Sequence, residues 1–185
     1  MSILVTGAAG FIGSNFVLNW LEKNKEKIIG FDKLTYAGNL ENLKSVEKEL
    51  NYEFVKGDIG DANLVADLLK KHQPRAIVNF AAESHVDRSI HGPDDFMQTN
   101  IIGTYRLLEE ARSFFNTLSE DDKKQFRFLH VSTDEVYGSL NNNDQPFKET
   151  NKYEPNSPYS ASKASSDHLV RAWHHTYGLP VLSTN

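Results

Sequence analysis

Short apolar runs alternate with longer amphipathic stretches along most of the chain. Each apolar run has five or six residues, at positions 2–6, 27–32, 52–56, 76–80, 127–131 and 180–184. Runs of this length, bounded by polar or glycine-containing segments, are typical of buried strands. Stretches with helical spacing lie between them, at about 11–21, 40–50, 61–71, 94–117 and 159–177. Strands that alternate with helices predict an α/β fold with a parallel sheet.

Three glycines separate the first apolar run from the first amphipathic stretch. In a strand-turn-helix unit, Gly7 would permit the tight turn, Gly10 would let the backbone approach a pyrophosphate, and Gly13 would let the helix pack close to the strand. The free N–H groups at the helix start, where Phe11 and Ile12 lie, would then face the phosphates. The alternative is a glycine-rich loop with a structural role alone.

An acidic residue follows the glycines at the distance typical of a dinucleotide site, about 20 residues on. Asp32 closes the second apolar run. Its carboxylate could accept hydrogen bonds from both ribose hydroxyls and would repel a 2′-phosphate, which favours NAD over NADP. Lys33 beside it weakens that preference a little. A kinase-type phosphate loop is disfavoured, because no Gly-Lys-Ser/Thr follows the glycines.

Loops that follow the other strands supply further candidate cofactor contacts, since ligands of doubly wound sheets bind at the carboxyl ends of the strands. The loop 33–39 would lie under the adenosine end, or would simply connect to the helix 40–50. Asp58 would bind the adenine amino group or cap a helix, whereas Asp61 is the expected N-cap of the helix 61–71. Ser84 is interpreted as a polar contact to a ligand. The predicted cofactor-binding residues are Gly7, Gly10, Phe11, Ile12, Gly13, Asp32, Lys33, Leu34, Thr35, Asp58, Ile59, Phe80, Ala81, Ala82, Ser84, Thr99, Tyr159 and Lys163.

Composition excludes several other classes of function. The net charge is −5 and no basic tract offsets the acidic residues, so a nucleic-acid partner is not expected. The chain has no cysteine, which excludes disulfides, thiolate catalysis and cysteine-ligated zinc, and no metal site is predicted. No apolar run approaches the ~20 residues of a membrane span, and a strand begins at once, so we expect no signal peptide, no membrane partner and a cytoplasmic location.

The fifth predicted strand ends in an unusual polar segment. Ser132, Thr133, Asp134 and Glu135 follow it directly, and burying two acids is costly unless they act or are paired. The alternative is a polar strand end whose acids reach solvent. Because neighbouring residues of a strand point to opposite sides, both acids can face one ligand only if the backbone bends after Thr133.

A tyrosine and a lysine open the last predicted helix. Tyr159 and Lys163 are four residues apart and therefore share a helical face. A phenol titrates near 10, so a tyrosine that acts as a base at neutral pH needs a lower pKa. The ammonium of Lys163 and the cationic ring of NAD would both act in that direction. Taken alone, this spacing is common and is usually a surface contact.

These residues together resemble the extended short-chain dehydrogenase/reductases, and among them the nucleotide-sugar 4,6-dehydratases. The resemblance covers the whole chain. The segment Ser132–Gly138 is its narrowest feature, because related epimerases and decarboxylases usually lack the Asp-Glu pair. It implies a doubly wound parallel sheet of strand order 3-2-1-4-5-6 with helices on both faces, NAD as cofactor, and dTDP-glucose as substrate. A dehydratase for another nucleotide sugar such as UDP-glucose, or a non-catalytic dinucleotide-binding module, stays open.

The resemblance also implies a role for each candidate catalytic residue. Tyr159, aided by Thr133 and Lys163, would take the proton of the sugar 4-hydroxyl while hydride passes to NAD. Glu135 would remove the C5 proton and Asp134 would protonate the departing C6 hydroxyl, after which hydride returns to C6. Ser84 joins Thr133, Asp134 and Glu135 as a predicted substrate contact.

The resemblance also has implications for the domain content of the chain and for its assembly. Members of the family are considerably longer, so residues 1–185 correspond to the NAD-binding Rossmann domain with the catalytic groups, and most of the nucleotide-sugar domain is absent. We therefore expect the isolated chain to turn over nucleotide sugar poorly.

The helices 94–117 and 159–177 resemble the pair that forms the dimer contact in this family, which predicts a homodimer.

Overall fold

A single sheet of six parallel strands forms the centre of the computed structural model, which describes residues 1–185. The strands are β1 (Ser2–Thr6), β2 (Lys27–Asp32), β3 (Tyr52–Lys56), β4 (Ala76–Asn79), β5 (Arg127–Val131) and β6 (Val181–Thr184). Their order across the sheet is β3-β2-β1-β4-β5-β6. The predicted doubly wound, Rossmann-like topology is confirmed.

Seven α-helices connect or flank the strands. They are α1 (Phe11–Lys23), α2 (Ala62–His72), α3 (Val86–His91), α4 (Asp94–Phe96), α5 (Thr104–Thr117), α6 (Glu120–Gln125) and α7 (Pro158–Tyr177). Asp61 caps α2 as predicted, because its side chain accepts a hydrogen bond from the N–H of Leu64. No helix combines the length and the apolar composition needed to cross a membrane.

Alternating side chains of the strands divide the core into two layers. In β1, Ile3 and Val5 pack on one face with Val17 of α1, while Leu4 packs on the other face with Leu68 of α2 and Leu107 of α5. This period of two is what a strand buried on both faces requires. Helices therefore cover both faces of the sheet, and the carboxyl ends of the strands are left for loops.

Three helical segments differ from the sequence prediction. The stretch predicted as a helix at 40–50 is a short 3₁₀ helix at Leu40–Val46, and α6 lies in the polar segment between the predicted helix 94–117 and the predicted strand 127–131, to which the apolar spacing assigned no element. The predicted helix 94–117 is continuous but contains a π-helical stretch at Met97–Gly103. Apolar spacing detects a helix, but it does not distinguish the hydrogen-bond register within it.

The glycine turn between β1 and α1 is packed against backbone on both sides. Gly7 has a φ of +63°, and a Cβ placed there would lie 2.7 Å from the backbone nitrogen of Ala81. A Cβ on Gly13 would overlap the carbonyl oxygen of Gly7. Neither neighbour is a side chain that could rotate away. The turn therefore holds β1, α1 and the end of β4 in direct contact.

Replacing Gly13 by alanine tests this packing. We expect the free energy of unfolding to fall by about 1–3 kcal/mol, because the new methyl group must displace backbone. Gly92→Ala is the matched control, since the nearest atom to its Cβ position is 3.9 Å away, and a change within about 0.5 kcal/mol is expected. Urea denaturation measures both. Equal effects of the two substitutions would contradict the packing described.

Candidate active site

A cleft of about 380 Å³ opens at the carboxyl ends of the strands. It lies across the glycine turn after β1, the loop after β2 and the loop after β4. The connections of β1 and β4 leave in opposite directions, and such a reversal of strand order is where doubly wound sheets bind ligands. The residues predicted to contact a cofactor line this cleft with one exception, Leu34. The backbone N–H of Leu34 instead donates to Asp32 Oδ1 over 2.7 Å.

Several lining residues were not predicted. They are Phe31, Ala37, Gly38, Gly57, Glu83, Val131 and Ser132. All of them end a strand or lie within a few residues of one, so their positions were already implied by the predicted strands. No distinctive residue type singled them out.

The start of α1 presents its backbone to the cleft. Gly10 occupies the N-cap, and no side chain caps the helix. Phe11 and Ile12 are 81% and 61% exposed, so their side chains do not cover the amides of the first turn. The first N–H groups of a helix lack partners within the helix and carry the positive end of its dipole. This surface of the cleft is therefore suited to phosphate groups.

Asp32 is held in place by two backbone amides. Its Oδ2 accepts from the N–H of Ala9 at 2.9 Å, and its Oδ1 accepts from the N–H of Leu34 at 2.7 Å. Each carboxylate oxygen has a further lone pair, so both can accept from a pair of ribose hydroxyls. The carboxylate is thus oriented before any ligand arrives.

Lys33 and Asp58 form an ion pair of 2.7 Å at one end of the cleft. Burial raises the pKa of Asp58, but hydrogen bonds from Lys33 and from the N–H of Gly60 outweigh burial and hold that pKa below its ordinary value. The charge of Lys33 is therefore matched by a neighbour. This pairing reduces the attraction for a 2′-phosphate that Lys33 would otherwise provide.

Tyr159 and Lys163 reach the cleft from the first two turns of α7. Ser157 caps this helix in a capping box with Ser160, and Pro158 follows the cap. Both candidate residues are largely buried, at 8% and 3% exposure. Lys163 Nζ donates to the carbonyl oxygen of Val131 over 2.7 Å, and burial lowers the pKa of Lys163 to about 8.

The pKa of Tyr159 differs from the sequence-based expectation. Burial raises it, a hydrogen bond with Thr133 lowers it, and the charges of Glu135 and Asp134 raise it again, so that the net shift is upward. The expected lowering by Lys163 is not found, and the Lys163 ammonium donates instead to the Val131 carbonyl. The chain's own groups do not make this phenol acidic.

The backbone bends after Thr133, as a shared site for the two acids requires. Thr133 caps a 3₁₀ turn at Asp134–Tyr137, and its hydroxyl accepts from the N–H of Glu135 at 3.3 Å. The turn replaces the strand alternation that would send the two side chains apart. Burial raises the pKa of Glu135, and the charge of Asp134 raises it further. The two acids lie beyond Ser132 at the rim, outside the lining of the cleft.

Asn100 is a site residue that sequence reasoning missed. It is 1% exposed and lies in the π-helical stretch Met97–Gly103. Its Oδ1 accepts from the N–H of Glu83 at 2.9 Å, and its Nδ2 donates to the carbonyl of Glu83 and to Ser162 Oγ, both at 2.8 Å. Ser162 Oγ in turn donates to the carbonyl of Tyr159. One amide thus joins the loop after β4 to the first turn of α7.

The fold and the cleft define the class of protein: a Rossmann-like domain of the short-chain dehydrogenase/reductase type, with a tyrosine and a lysine lining a cleft at the carboxyl ends of the strands. The chain belongs to the family described as GDP-mannose 4,6 dehydratase, whose model matches residues 4–185.

Individual relatives carry a narrower name. A dTDP-glucose 4,6-dehydratase of Xanthomonas campestris is 61% identical over 182 residues, which are 98% of this chain and 51% of that protein. The dTDP-glucose 4,6-dehydratase DesIV of Streptomyces venezuelae, solved with NAD bound, is 47% identical with a TM-score of 0.87, covering 99% of this chain and 54% of that one. A solved dTDP-glucose 4,6-dehydratase of Bacillus anthracis, in complex with NAD, is also 47% identical. Its TM-score is 0.84, and the match covers 99% of this chain and 53% of the Bacillus chain. The chain spans about half the length of the curated relatives it matches.

Substituting Asn100 by alanine tests its part in the site. We expect a loss of about 2–4 kcal/mol in the free energy of unfolding, because buried groups of Glu83 and Ser162 lose their partners. Asn116→Ala is the control on α5, where the asparagine is exposed, and its effect should stay within about 0.5 kcal/mol. Chemical denaturation measures both. A loss no larger than that of the control would contradict the role assigned to Asn100.

Proposed function

We propose that this chain binds NAD and carries the catalytic groups of a dTDP-glucose 4,6-dehydratase. The observation that carries the proposal is the arrangement at the carboxyl edge of the sheet. A phosphate-binding helix start and a preoriented Asp32 lie in the same cleft as Tyr159 and Lys163, and Thr133, Asp134 and Glu135 lie at its rim. The names of the relatives favour dTDP-glucose over UDP-glucose as substrate.

The residues of the cleft fit NAD in four respects. A side chain at Gly7 or Gly13 would meet backbone, so the turn stays bare for a pyrophosphate. The uncapped amides of α1 supply donors to phosphate. Asp32 supplies two oriented acceptors for an adenosine ribose and would repel a 2′-phosphate. Lys163 would hold the other ribose by donating from its ammonium.

In the proposed reaction, the chain's own groups move protons at three positions of the sugar. Bound NAD would supply a hydride acceptor for the C4 hydrogen and later return that hydride to C6. Tyr159 would take the proton of the 4-hydroxyl, and Thr133, which lowers the pKa of that phenol, would assist. Glu135 would take the C5 proton, and Asp134 would give a proton to the C6 oxygen that leaves as water. C5 would regain a proton as the hydride adds to C6.

The pKa values support part of this division of labour. A raised pKa makes the carboxylate of Glu135 a stronger base, which suits removal of a carbon-bound proton next to a ketone. Tyr159 starts from a raised pKa. It would become a base only with help from the cationic nicotinamide ring and from Thr133, so its activation is tied to the presence of the cofactor.

Homodimer assembly and a cytoplasmic location belong to the same proposal. On α5 and α7 the aromatic rings of Tyr105, Trp173 and Tyr177 form a continuous row, and Tyr177 is 48% exposed. Ile102, in the π-helical stretch that precedes α5, is 44% exposed. An exposed aromatic and aliphatic surface of this kind supports contact with a second copy.

A chimera tests the proposed function. Residues 1–185 are joined to the C-terminal half of the Xanthomonas relative, and dTDP-glucose is supplied. We expect the 4-keto-6-deoxy product, and we expect Glu135→Gln to lower kcat by about 10²-fold or more with NAD affinity nearly unchanged. Glu149→Gln, in an exposed loop, is the matched control and should retain activity. NAD binding without product would favour a non-catalytic binding module.

The isolated chain provides a second test. We expect residues 1–185 alone to bind NAD but to turn over dTDP-glucose poorly, because the chain spans about half of its relatives and a substrate pocket needs residues outside it. Calorimetry measures the binding, and product analysis measures the turnover. Robust dehydration by the isolated chain would show this expectation to be wrong.

A further inference from the structure

A group of buried polar side chains lies beneath the candidate site, between β5 and α7, and the proposed function uses none of them. Asp167 is 5% exposed, and His130 and Asn79 are each 1% exposed. Buried polar groups are costly unless their hydrogen bonds are made. Their contacts therefore indicate what this group stabilises.

Asp167 is the anionic member of the group. Its Oδ2 accepts from Ser132 Oγ at 2.6 Å and from the hydroxyl of Tyr153 at 3.0 Å. Its Oδ1 lies 3.3 Å from His130 Nε2 but accepts no hydrogen bond. Ser132 lines the cofactor cleft, so this carboxylate is linked by one hydrogen bond to the site.

His130 lies beside that carboxylate and is held in its neutral form. Thr6 Oγ1 donates to Asn79 Oδ1 at 2.6 Å, which turns Asn79 Nδ2 toward His130 Nδ1 at 3.1 Å. Nδ1 is then the acceptor, and Nε2–H donates to Ser166 Oγ at 3.3 Å, while Asp167 Oδ1 lies at the same distance without a hydrogen bond. Burial lowers the pKa of His130, and the pull of Asp167 in the other direction does not offset it. The histidine therefore does not neutralise the charge of Asp167.

The charge of Asp167 raises the pKa of Lys163, although the two groups form no salt bridge. Lys163 lies one helical turn earlier on α7, and its ammonium donates to the carbonyl of Val131. That carbonyl belongs to the peptide bond that leads into Ser132, the residue tied to Asp167 Oδ2. Asp167 thus acts on the lysine twice, by its charge and by fixing the peptide that receives the ammonium. A buried ammonium without such a partner would be unfavourable.

We propose that Asp167 is a positioning residue of the candidate active site, which keeps the Val131–Ser132 peptide and the Lys163 ammonium in the arrangement that holds the cofactor ribose. The inference rests on the proposed function, since it assigns Lys163 to the dinucleotide. Asp167 itself touches neither cofactor nor sugar in this arrangement. It acts through Ser132 and Lys163.

Other ionisable groups surround this pair and define the background for a pH experiment. They are His130 on β5, Tyr153 in the loop before α7, Tyr159 on α7, and Asp134 and Glu135 in the 3₁₀ turn. Tyr153 has a raised pKa, chiefly through burial, and the pKa of His130 is lowered. The experiment therefore follows the loss of the positive charge of Lys163 between pH 6 and 8.5.

The test is Asp167→Asn in the chain of residues 1–185, which keeps the side-chain size and removes the charge. Lys163 is followed by ¹³C-lysine NMR without nucleotide, and NAD affinity is measured by calorimetry from pH 6 to 8.5. Asp167 raises the pKa of Lys163, so the midpoint should fall by about one unit in the variant. The variant should then bind NAD more weakly than the wild type. Its Kd should be less than about twofold higher at pH 6 and about fivefold higher at pH 8.

Two further variants separate charge from structure. Tyr153→Phe removes a hydrogen bond to the same carboxylate oxygen but leaves the charge, and it should change neither the Lys163 midpoint nor the pH dependence of NAD affinity. Asp167→Glu restores the charge and should return the midpoint toward that of the wild type. A purely structural role would instead weaken NAD binding equally at every pH.

An unchanged Lys163 midpoint in Asp167→Asn would overturn the proposal, as would a Kd ratio that does not vary with pH. If that variant does not fold, Ser132→Ala decides the question, since it releases the 131–132 peptide and retains the charge. Weaker NAD binding in Ser132→Ala with an unchanged Lys163 midpoint is expected, and unchanged NAD binding would contradict the positioning role. Because the NMR titration contains no nucleotide, failure of the wild type to bind NAD would count against the proposed function alone.

Discussion

The close approach of the glycine turn to the end of β4 is the contact on which the site depends. With no Cβ at Gly7, the turn packs directly against the backbone of Ala81, and with no Cβ at Gly13 the helix α1 packs against the turn. The N–H of Ala81 also donates to the hydroxyl of Thr6 over 3.2 Å. These contacts place the start of α1 and the loop after β4 on opposite sides of one cleft. A side chain at either glycine would separate them.

The polar network beneath the cleft extends this arrangement to α7. The hydroxyl of Thr6 bonds to Ala81 and to Asn79, and Asn79 bonds to His130. His130 in turn bonds to Ser166 on α7, the helix that bears Tyr159 and Lys163. Asn100 makes a second connection, from the loop after β4 to Ser162. The glycine turn and the start of α7 are therefore joined by buried hydrogen bonds as well as by the sheet.

The amino-acid sequence predicted the sheet and most of the cleft because both depend on local patterns. Alternation in β1, the glycine spacing after it and the position of Asp32 are visible within about 30 residues, the length of one βαβ unit. The π-helical register that places Asn100, and the partnership of His130 with Asp167, depend on residues that meet only after folding. His130 was assigned simply to a strand. The upward shift of the Tyr159 pKa was also missed, because it depends on burial and on the charges of Glu135 and Asp134, which are brought near the phenol by folding.

The proposed NAD site is the edge formed by the glycine turn, Asp32 and the loop after β4. Titration of the ¹⁵N-labelled chain with NAD, followed by amide chemical shifts, tests whether NAD binds there. We expect the largest shifts at Gly10–Gly13, at the amide of Leu34 that holds Asp32, and at Ala81–Ser84, with little change at the opposite edge of the sheet near Glu53. Saturating NAD that leaves the amides of Gly10–Gly13 unshifted, or shifts confined to the opposite edge, would contradict the proposed site.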